Sequence, residues 1–287
     1  MTYPAISPGL VAVVTGAASG IGLAAAERFA ASGMHVAMAD VNDAALQEAA
    51  RAVAAAAPGS QVIAVATNVS RRDDVEALQK RVTSELGPVA VLMNNAGREG
   101  GGTLFADPQR WHDILDTNIW GVIHGIQVFA PAMMAGGAPG AIISTGSKQG
   151  ITTPPGDTAY NVSKAGVKVV TEALAHELRN AEGSRVTAHL LVPGFTFTGF
   201  TRVRTNEKPD GAWTPEQVID FMLPAMARGD FYILCPDNDV TREMDEKRIR
   251  WAAEDIVQNR PPLSRWHPDW KEAFADYMQA NLAKPIG

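Results

Sequence analysis

Short runs of consecutive apolar residues alternate along the chain with longer segments in which apolar residues recur at helical spacing. The short runs are rich in valine, isoleucine and alanine, as is typical of strands buried on both faces of a parallel sheet. Strands are predicted at 10–14, 34–39, 61–66, 89–93, 141–145 and 186–192, and helices at 23–32, 43–57, 73–86, 111–134 and 160–180. This succession predicts an α/β fold of the Rossmann type, a doubly wound parallel sheet with helices on both faces.

Glycine and polar residues follow the predicted strands directly. The first such turn, residues 15–22, reads TGAASGIG between a strand and a helix. Glycines there let the backbone approach a pyrophosphate held at the amino-terminal amides of the helix. The spacing differs from the usual Gly-x-Gly-x-x-Gly fingerprint, and a plain tight turn is the alternative.

Asp40 ends the second predicted strand, about 20 residues beyond this turn. A carboxylate in that place accepts hydrogen bonds from ribose hydroxyls and repels a 2′-phosphate. Neither Val41, Asn42 nor the glycine turn supplies a cation for such a phosphate. The pattern therefore favours NAD(H) over NADP(H). In the alternative interpretation Asp40 caps the following helix, although Asp43 is the better placed cap.

Tyr160 and Lys164 open the helical pattern at 160–180 and lie one turn apart on the same face. A phenol with a pKa near 10 needs about 4 kcal/mol of stabilisation of its anion to act as a base near pH 7. One positive charge at about 5 Å supplies roughly 3 kcal/mol at an effective dielectric of about 20. A second cation, such as an oxidised nicotinamide, would supply the remainder. An ordinary helix face is the alternative.

Further polar positions extend this pattern. The turn at 94–97, Asn-Asn-Ala-Gly, suits a planar ribose or base packed against the chain, with an Asx turn as the alternative. The glycines at 100–102 predict a flexible connector. Asn118 falls inside the helical pattern at 111–134, where a buried amide requires a partner.

Composition narrows the class of protein. Hydrophobic residues make up 46% and charged residues 20% of the 287 residues, as in a soluble globular protein folded as one domain over 1–287. The net charge of −6 argues against a nucleic-acid partner. We expect no membrane span, no signal peptide and no catalytic metal. The single cysteine, Cys235, is predicted to be buried and fits a cytoplasmic protein.

The carboxyl-terminal third carries a weaker pattern. Residues 195–229 combine aromatic and apolar residues with the charged stretch 202–210, which predicts a substrate lid, with a surface loop and a packed helix as the alternative. Residues 151–157, Arg98 and Glu99 are predicted to complete the substrate pocket. Its apolar lining favours a hydrophobic or aromatic alcohol. Residues 236–287 form a helical carboxyl-terminal extension.

Together these features resemble the short-chain dehydrogenase/reductase family, in its single-domain branch. The matching positions, which cover roughly residues 8–200, are 15–22, Asp40, 94–97, Asn118, Ser147, Tyr160, Lys164, Pro193, Gly194, Thr196 and Thr198. The resemblance implies a sheet of about seven parallel strands. It also implies a homo-oligomer, a dimer or a tetramer.

The resemblance assigns catalytic roles to four residues. Tyr160 is implied to be the general acid and base, and Lys164 to lower its pKa and bind the nicotinamide ribose. Ser147, thirteen positions before the tyrosine, is implied to steady the substrate oxygen, and Asn118 to help hold a water in a proton relay. Cofactor contacts are implied at Gly16, Ser19, Gly20, Ile21, Gly22, Asp40, Asn68, Val69, Asn95, Ala96, Gly97, Tyr160, Lys164, Pro193, Gly194, Thr196 and Thr198.

One position departs from the family pattern. Asn68 stands where the family often has aspartate, and its amide keeps an acceptor oxygen for the adenine. The resulting hypothesis is an NAD(H)-dependent oxidoreductase that interconverts a secondary alcohol and a ketone. The alternative is a catalytically idle NAD-binding scaffold or sensor of the same fold.

Overall fold

The computed structural model describes residues 3–199 and 207–280. Its centre is a seven-stranded sheet in the order β3-β2-β1-β4-β5-β6-β7, with every pair of neighbours parallel. The strands are β1 Val11–Thr15, β2 His35–Asp40, β3 Val62–Ala66, β4 Val89–Asn94, β5 Gly140–Thr145, β6 Val186–Val192 and β7 Tyr232–Leu234. The predicted doubly wound parallel sheet is confirmed.

Helices cover both faces of the sheet. They are α1 Gly20–Ala31, α2 Asp43–Ala56, α3 Arg72–Glu85, α4 Pro108–Leu115, α5 Gly121–Ala135, α6 Gln149–Thr152, α7 Thr158–Asn180, α8 Pro215–Ala227, α9 Arg242–Val257 and α10 Lys271–Gln279. One hydrophobic cluster joins α1, α2 and α8 to the sheet, and another joins α3, α5 and α7 to the opposite face. Across the described ranges, no helix combines the length and apolarity needed to cross a bilayer.

The strand order places the ligand-binding edge. β2 and β3 lie on one side of β1, and β4 and the strands that follow it lie on the other side. The parallel neighbours β1 and β4 therefore mark the point where the order of the strands reverses. In such sheets the crevice beyond the carboxyl ends of the two strands is where ligands bind. The glycine turn after β1 and the Asn94–Gly97 turn after β4 therefore meet at one place.

Two local predictions need correction. The helix predicted at 111–134 is divided by a π-helical turn at Asp116–Trp120, between α4 and α5. The helix α2 is capped by Asn42, whose side chain accepts a hydrogen bond from the Ala45 amide at 3.2 Å, so Asp43 is not its cap. Each feature is confined to about one turn, and a pattern of apolar residues averaged over a whole helix does not resolve a change of that length.

The carboxyl-terminal segment is helical, as predicted, up to the end of the described residues. Trp251 in α9 is 5% exposed and contacts the rings of Trp270, Phe274 and Tyr277 at centroid distances of 6.2, 5.3 and 5.1 Å. An aromatic cluster therefore holds α9 and α10 together.

The single cysteine, Cys235, directly follows β7. Its predicted burial is confirmed, and burial raises the pKa of its thiol to about 12.

Candidate active site

A cleft runs along the carboxyl edge of the sheet. It consists of two adjoining cavities with volumes of about 460 and 390 Å³, which share Gly16, Asp40, Ala96 and Gly97. The larger is lined by the predicted residues Gly16, Ser19, Gly20, Ile21, Asp40, Asn95, Ala96, Gly97, Ser147, Tyr160, Lys164, Pro193, Gly194, Thr196 and Thr198. The smaller contains Asn68 and Val69. The cleft thus brings together the predicted catalytic end and the predicted adenosine end.

The glycine turn has the backbone geometry that a dinucleotide requires. Gly16 has a φ of +65°, and a Cβ there would lie 2.7 Å from Ala96 Cα, inside van der Waals contact. Gly20 has a φ of +57° and begins α1, whose first amides face the cleft. These positions are open to a phosphate group only while they lack side chains.

Gly22 acts beneath the cleft. A Cβ at Gly22 would lie 2.2 Å from the carbonyl oxygen of Gly16, so α1 can pack against the turn only with glycine in this place. Gly22 is buried and does not line the larger cavity. This position fits a glycine that lets α1 pack closely against the turn, and the implied contact of Gly22 with the cofactor stays a prediction.

Asp40 is positioned by two backbone amides. Its Oδ2 accepts a hydrogen bond from Ala18 at 3.1 Å, and its Oδ1 accepts one from Asn42 at 3.0 Å. The carboxylate lines both cavities and is not the cap of α2. A negative charge is therefore held where the glycine turn meets the adenosine end.

Asn68 and Asn95 are engaged in local contacts. Asn68 Oδ1 accepts hydrogen bonds from the amide and the hydroxyl of Ser70, at 3.1 and 2.8 Å, so the oxygen that the sequence assigned to adenine already has partners. Asn95 Nδ2 donates to the Thr15 carbonyl at 3.1 Å, and its Oδ1 accepts from Thr145 at 3.2 Å. Asn95 thereby joins the ends of β1 and β5 in the floor of the cleft.

Ser147, Tyr160 and Lys164 converge at the other end of the cleft. Ser147 follows β5 and shares a hydrogen bond with the Tyr160 hydroxyl. Lys164 Nζ lies 5.7 Å from the centre of the Tyr160 ring and donates to the Thr145 carbonyl at 2.8 Å. The predicted spacing of one helical turn does place the ammonium beside the phenol.

The electrostatics of this pair differ from the prediction. The pKa of Tyr160 is raised to about 12, mainly by burial and further by the carboxylates of Glu99 and Asp157, while the Ser147 hydrogen bond lowers it. Burial also lowers the pKa of Lys164 to about 8. In the protein alone, burial therefore keeps the pKa of the phenol far above pH 7, although the buried Lys164 lies beside it.

Asn118 lies below the cleft in the π-helical turn and is fully buried. Its Oδ1 accepts from the Arg98 amide at 2.7 Å, and its Nδ2 donates to the Arg98 carbonyl and the Ser163 hydroxyl, both at 2.9 Å. The amide is thus used to fix the segment that follows β4. Its predicted part in a water relay stays a prediction.

The glycines at 100–102 are docked rather than flexible. The Gly100 amide donates to Asp157 Oδ2 at 2.9 Å, and the Gly102 carbonyl accepts from Thr158 at 2.9 Å. A Cβ on Gly101 would lie 2.6 Å from Ala159 Cβ. Because the first turn of α7 carries Tyr160, this close packing helps to position the phenol.

The catalytic end of the cleft contains residues that the sequence pattern did not identify. Lys148 and Gln149 line it together with Glu99 and Phe195. Residues 151–157 are not among those that line this cavity. Arg98 lines the adenosine end instead, where it pairs with Asp113 at 3.3 Å. Of the predicted pocket and lid residues, the larger cavity is lined by Glu99, Phe195, Thr196, Thr198 and Gly199.

The predicted lid at 195–229 contains fixed elements. The Trp213 amide donates to the Phe195 carbonyl at 2.9 Å, and the Phe197 amide donates to the Trp213 carbonyl at 2.8 Å. Helix α8 packs against α1 and buries Met222 completely. This part matches the alternative of a packed helix, and residues 200–206 lie outside the described residues.

Comparison with known proteins adds independent findings. The sequence model described as short chain dehydrogenase matches residues 10–209. The 1-deoxy-11-beta-hydroxypentalenate dehydrogenase of Streptomyces exfoliatus is 32% identical over 261 residues, which cover 89% of this chain and 93% of that protein. The similarity therefore extends through most of both chains.

Solved structures share the fold. A short-chain dehydrogenase/reductase from Burkholderia phymatum, in complex with NAD, is 35% identical with a TM-score of 0.81, and the match covers 91% of this chain and 98% of that chain. A metagenomic short-chain oxidoreductase in complex with NADP is 28% identical with a TM-score of 0.66, over 80% and 98% of the two chains. The two neighbours differ in the cofactor that they hold.

Proposed function

The chain belongs to the short-chain dehydrogenase/reductase family of oxidoreductases, and we propose that it is an NAD(H)-dependent enzyme that interconverts a secondary alcohol and a ketone. The observation that carries this proposal is the position of Ser147, Tyr160 and Lys164 at one end of a cleft whose other end is the glycine turn. A nicotinamide dinucleotide fits the similarity to structures that hold NAD or NADP.

In the proposed reaction, the Tyr160 oxygen takes the proton of the substrate hydroxyl during oxidation and returns it during reduction. The residues that line this cleft, among them Gly16, Gly20 and Lys164, would hold a nicotinamide dinucleotide, which would supply the hydride acceptor and a positive charge beside Tyr160. The ammonium of Lys164 stabilises the phenolate through its charge. The hydroxyl of Ser147 donates to the developing alkoxide, a contribution of a few kcal/mol.

The choice of NAD(H) rests on Asp40. Its carboxylate is fixed by the amides of Ala18 and Asn42 and lines both cavities. A 2′-phosphate would meet this negative charge, and the neighbouring Val41 offers no cation. The position of Asp40 supports a preference for the cofactor that lacks the phosphate.

The proposed substrate is hydrophobic or aromatic. Phe195 lines the catalytic end and is 43% exposed, so its ring is available to an apolar group beside Ser147 and Tyr160. The similarity to a 1-deoxy-11-beta-hydroxypentalenate dehydrogenase supports an alcohol as the substrate. A homo-oligomer and a cytoplasmic location remain predictions, the first open to light scattering in solution.

The decisive experiment follows absorbance of reduced nicotinamide with a panel of bulky secondary alcohols and ketones. We expect Tyr160→Phe to lower kcat by about 10³-fold, because the general acid and base is removed. Binding of NADH, measured by its fluorescence, should stay within about threefold of the wild type. Near-normal turnover in this variant would contradict the assignment of Tyr160. NAD binding without turnover of any compound in the wild type would favour the idle scaffold.

A further inference from the structure

Lys148 directly follows the proposed catalytic serine and is paired with two buried carboxylates. Its Nζ lies 3.2 Å from Asp237 Oδ2 and 2.7 Å from Asp245 Oδ2. The lysine side chain is 17% exposed, and the two carboxylates are 4% and 5% exposed. We call these three residues the Lys148 cluster. Charges buried to this extent are stable only when they are paired.

Asp237 connects the Lys148 cluster to a second loop of the site. Its Oδ2 also accepts a hydrogen bond from the Phe195 amide at 3.1 Å. A Cβ on Gly194 would lie 2.6 Å from that oxygen and 2.9 Å from Lys148 Nζ, so the loop after β6 is pressed onto the ion pair. Lys148, Gly194 and Phe195 all line the larger cavity.

Both carboxylates belong to the carboxyl-terminal segment. Asp237 follows β7, and its Oδ1 accepts from the amides of Asp239 and Val240 at 3.2 and 2.8 Å. Asp245 lies in the first turn of α9. The same helix contributes Ile249 to the hydrophobic cluster that Ile151 of α6 also joins. The segment beyond β7 therefore contacts the catalytic loop by charge and by packing.

An anion-binding role for Lys148 is less favourable. Its ammonium already lies within 3.2 Å of two carboxylates, those of Asp237 and Asp245. A substrate carboxylate would have to displace one of them, and would leave that carboxylate buried without its partner. The contacts are those of a residue that holds chain segments in place.

We infer that Lys148 and Asp237 are positioning residues, through which the carboxyl-terminal segment holds the Ser147 loop and the Gly194–Phe195 loop in their reactive arrangement. The inference rests on the proposed function, because it assigns a reaction to the loops being held. Reaction rates depend steeply on such placement, since a displacement of about 1 Å can cost about a hundredfold. The extension is then part of the catalytic apparatus.

The test compares Asp237→Asn, Lys148→Met and the double variant. The asparagine removes the charge and keeps one acceptor oxygen, for either the Phe195 amide or the amides of Asp239 and Val240. We expect each single variant to lower kcat by about ten- to a hundredfold, with KM for substrate within about threefold. The double variant should be no worse than the poorer single variant by more than about threefold, because both act through one contact. Lys148→Arg should recover part of the loss.

Two further measurements separate positioning from general damage. Hydrogen exchange of the amides at 194–197 should be faster in Asp237→Asn, and this readout needs no substrate. The matched control is Glu246→Gln in α9, whose carboxylate pairs with Arg242 at 2.9 Å on the surface. This variant should keep kcat within about twofold.

The contrary results are equally specific. A folded Asp237→Asn with kcat within about twofold and unchanged exchange at 194–197 would overturn the inference, as would single-variant losses that multiply in the double variant. If Lys148→Met does not fold, Asp237→Asn decides alone, since Lys148 there retains Asp245. If the wild type turns over no substrate, the proposed function fails, and hydrogen exchange still tests the positioning contact.

Discussion

The carboxyl edge of the sheet and the carboxyl-terminal segment bury charge in opposite ways. At the sheet edge, Lys164 is 5% exposed and its ammonium donates to the Thr145 carbonyl, a neutral partner. In the other region, Asp237 and Asp245 surround Lys148, and Asp255 pairs with Arg260 at 3.1 Å. In these contacts, the buried lysine of the sheet edge has a neutral partner, whereas the buried carboxylates of the carboxyl-terminal segment form ion pairs.

The difference indicates what each buried charge is for. A buried ammonium beside a neutral oxygen keeps a desolvation cost, which appears as a pKa lowered to about 8 for Lys164. The ammonium lies 5.7 Å from the centre of the Tyr160 ring, and no carboxylate ion pair neutralises it in the described residues. A buried ion pair has little field left to offer, and instead fixes the segments that carry it.

Replacing the unpaired charge should give the largest effect. We expect Lys164→Met to lower kcat by about 10³-fold and to raise the free energy of unfolding of the cofactor-free protein by up to about 3 kcal/mol at pH 7. The folded pKa of Lys164 lies below its ordinary value of 10.5, at about 8. The free energy of unfolding of the wild type is therefore higher above pH 10.5 than at neutral pH, and this difference is lost as the pH falls through about 8. Urea unfolding between pH 7 and 10.5 measures the difference.

The control lies on the same helix. Lys168 pairs with Glu172 at 2.8 Å near the surface, and Lys168→Met should change the free energy of unfolding by less than about 1 kcal/mol with no trend in this pH range. If Lys164→Met were less stable than the wild type at pH 7, the contrast between paired and unpaired buried charges would be lost.

The aromatic cluster of the carboxyl-terminal segment should give the next largest effect. Trp251 is 5% exposed, donates through Nε1 to the Ser264 hydroxyl at 2.7 Å and lies 4.2 Å from the Arg260 guanidinium carbon. Trp251→Ala should lower the free energy of unfolding by about 3 to 5 kcal/mol, through the cavity that it leaves. Ile256→Ala, at an 85% exposed position of the same helix, should cost less than about 1 kcal/mol. Equal losses from the two variants would mean that the cluster does not hold this segment.

The smallest effect concerns the adenosine end. Asp40→Asn removes the negative charge and keeps one acceptor oxygen, so only one of the two amides, of Ala18 or of Asn42, retains its partner. We expect the ratio of kcat/KM for NAD to that for NADP to fall by about tenfold, or about 1.4 kcal/mol. Asp43→Asn, two residues past the cleft residue Val41, is the matched control and should leave the ratio unchanged. A wild type that prefers NADP would overturn the assignment of Asp40.

Most of the sheet and the catalytic end could be predicted from the sequence, for a physical reason. Strands buried on both faces require unbroken apolar runs, and Tyr160 and Lys164 are neighbours through the period of a single helix. The glycine turn follows β1 directly. Each of these features depends on residues that lie close together in the chain.

The missed features depend on distant partners. Lys148 precedes β6 in the sequence, whereas its partners Asp237 and Asp245 follow β7. No local spacing predicts a contact between residues so far apart in the chain. The raised pKa of Tyr160 comes from burial, which the sequence does not display. The glycines at 100–102 were predicted to be flexible because their docking surface is the first turn of α7, more than fifty residues later.

The paired hydrogen bonds between Phe195, Phe197 and Trp213 tie the chain that follows β6 to the chain that precedes α8. The ring of Trp213 also lies against Phe221 of α8 at a centroid distance of 5.8 Å, and α8 packs against α1. Redesign of the cleft for new compounds can therefore change the exposed side chain of Phe195 while the backbone that carries it stays anchored.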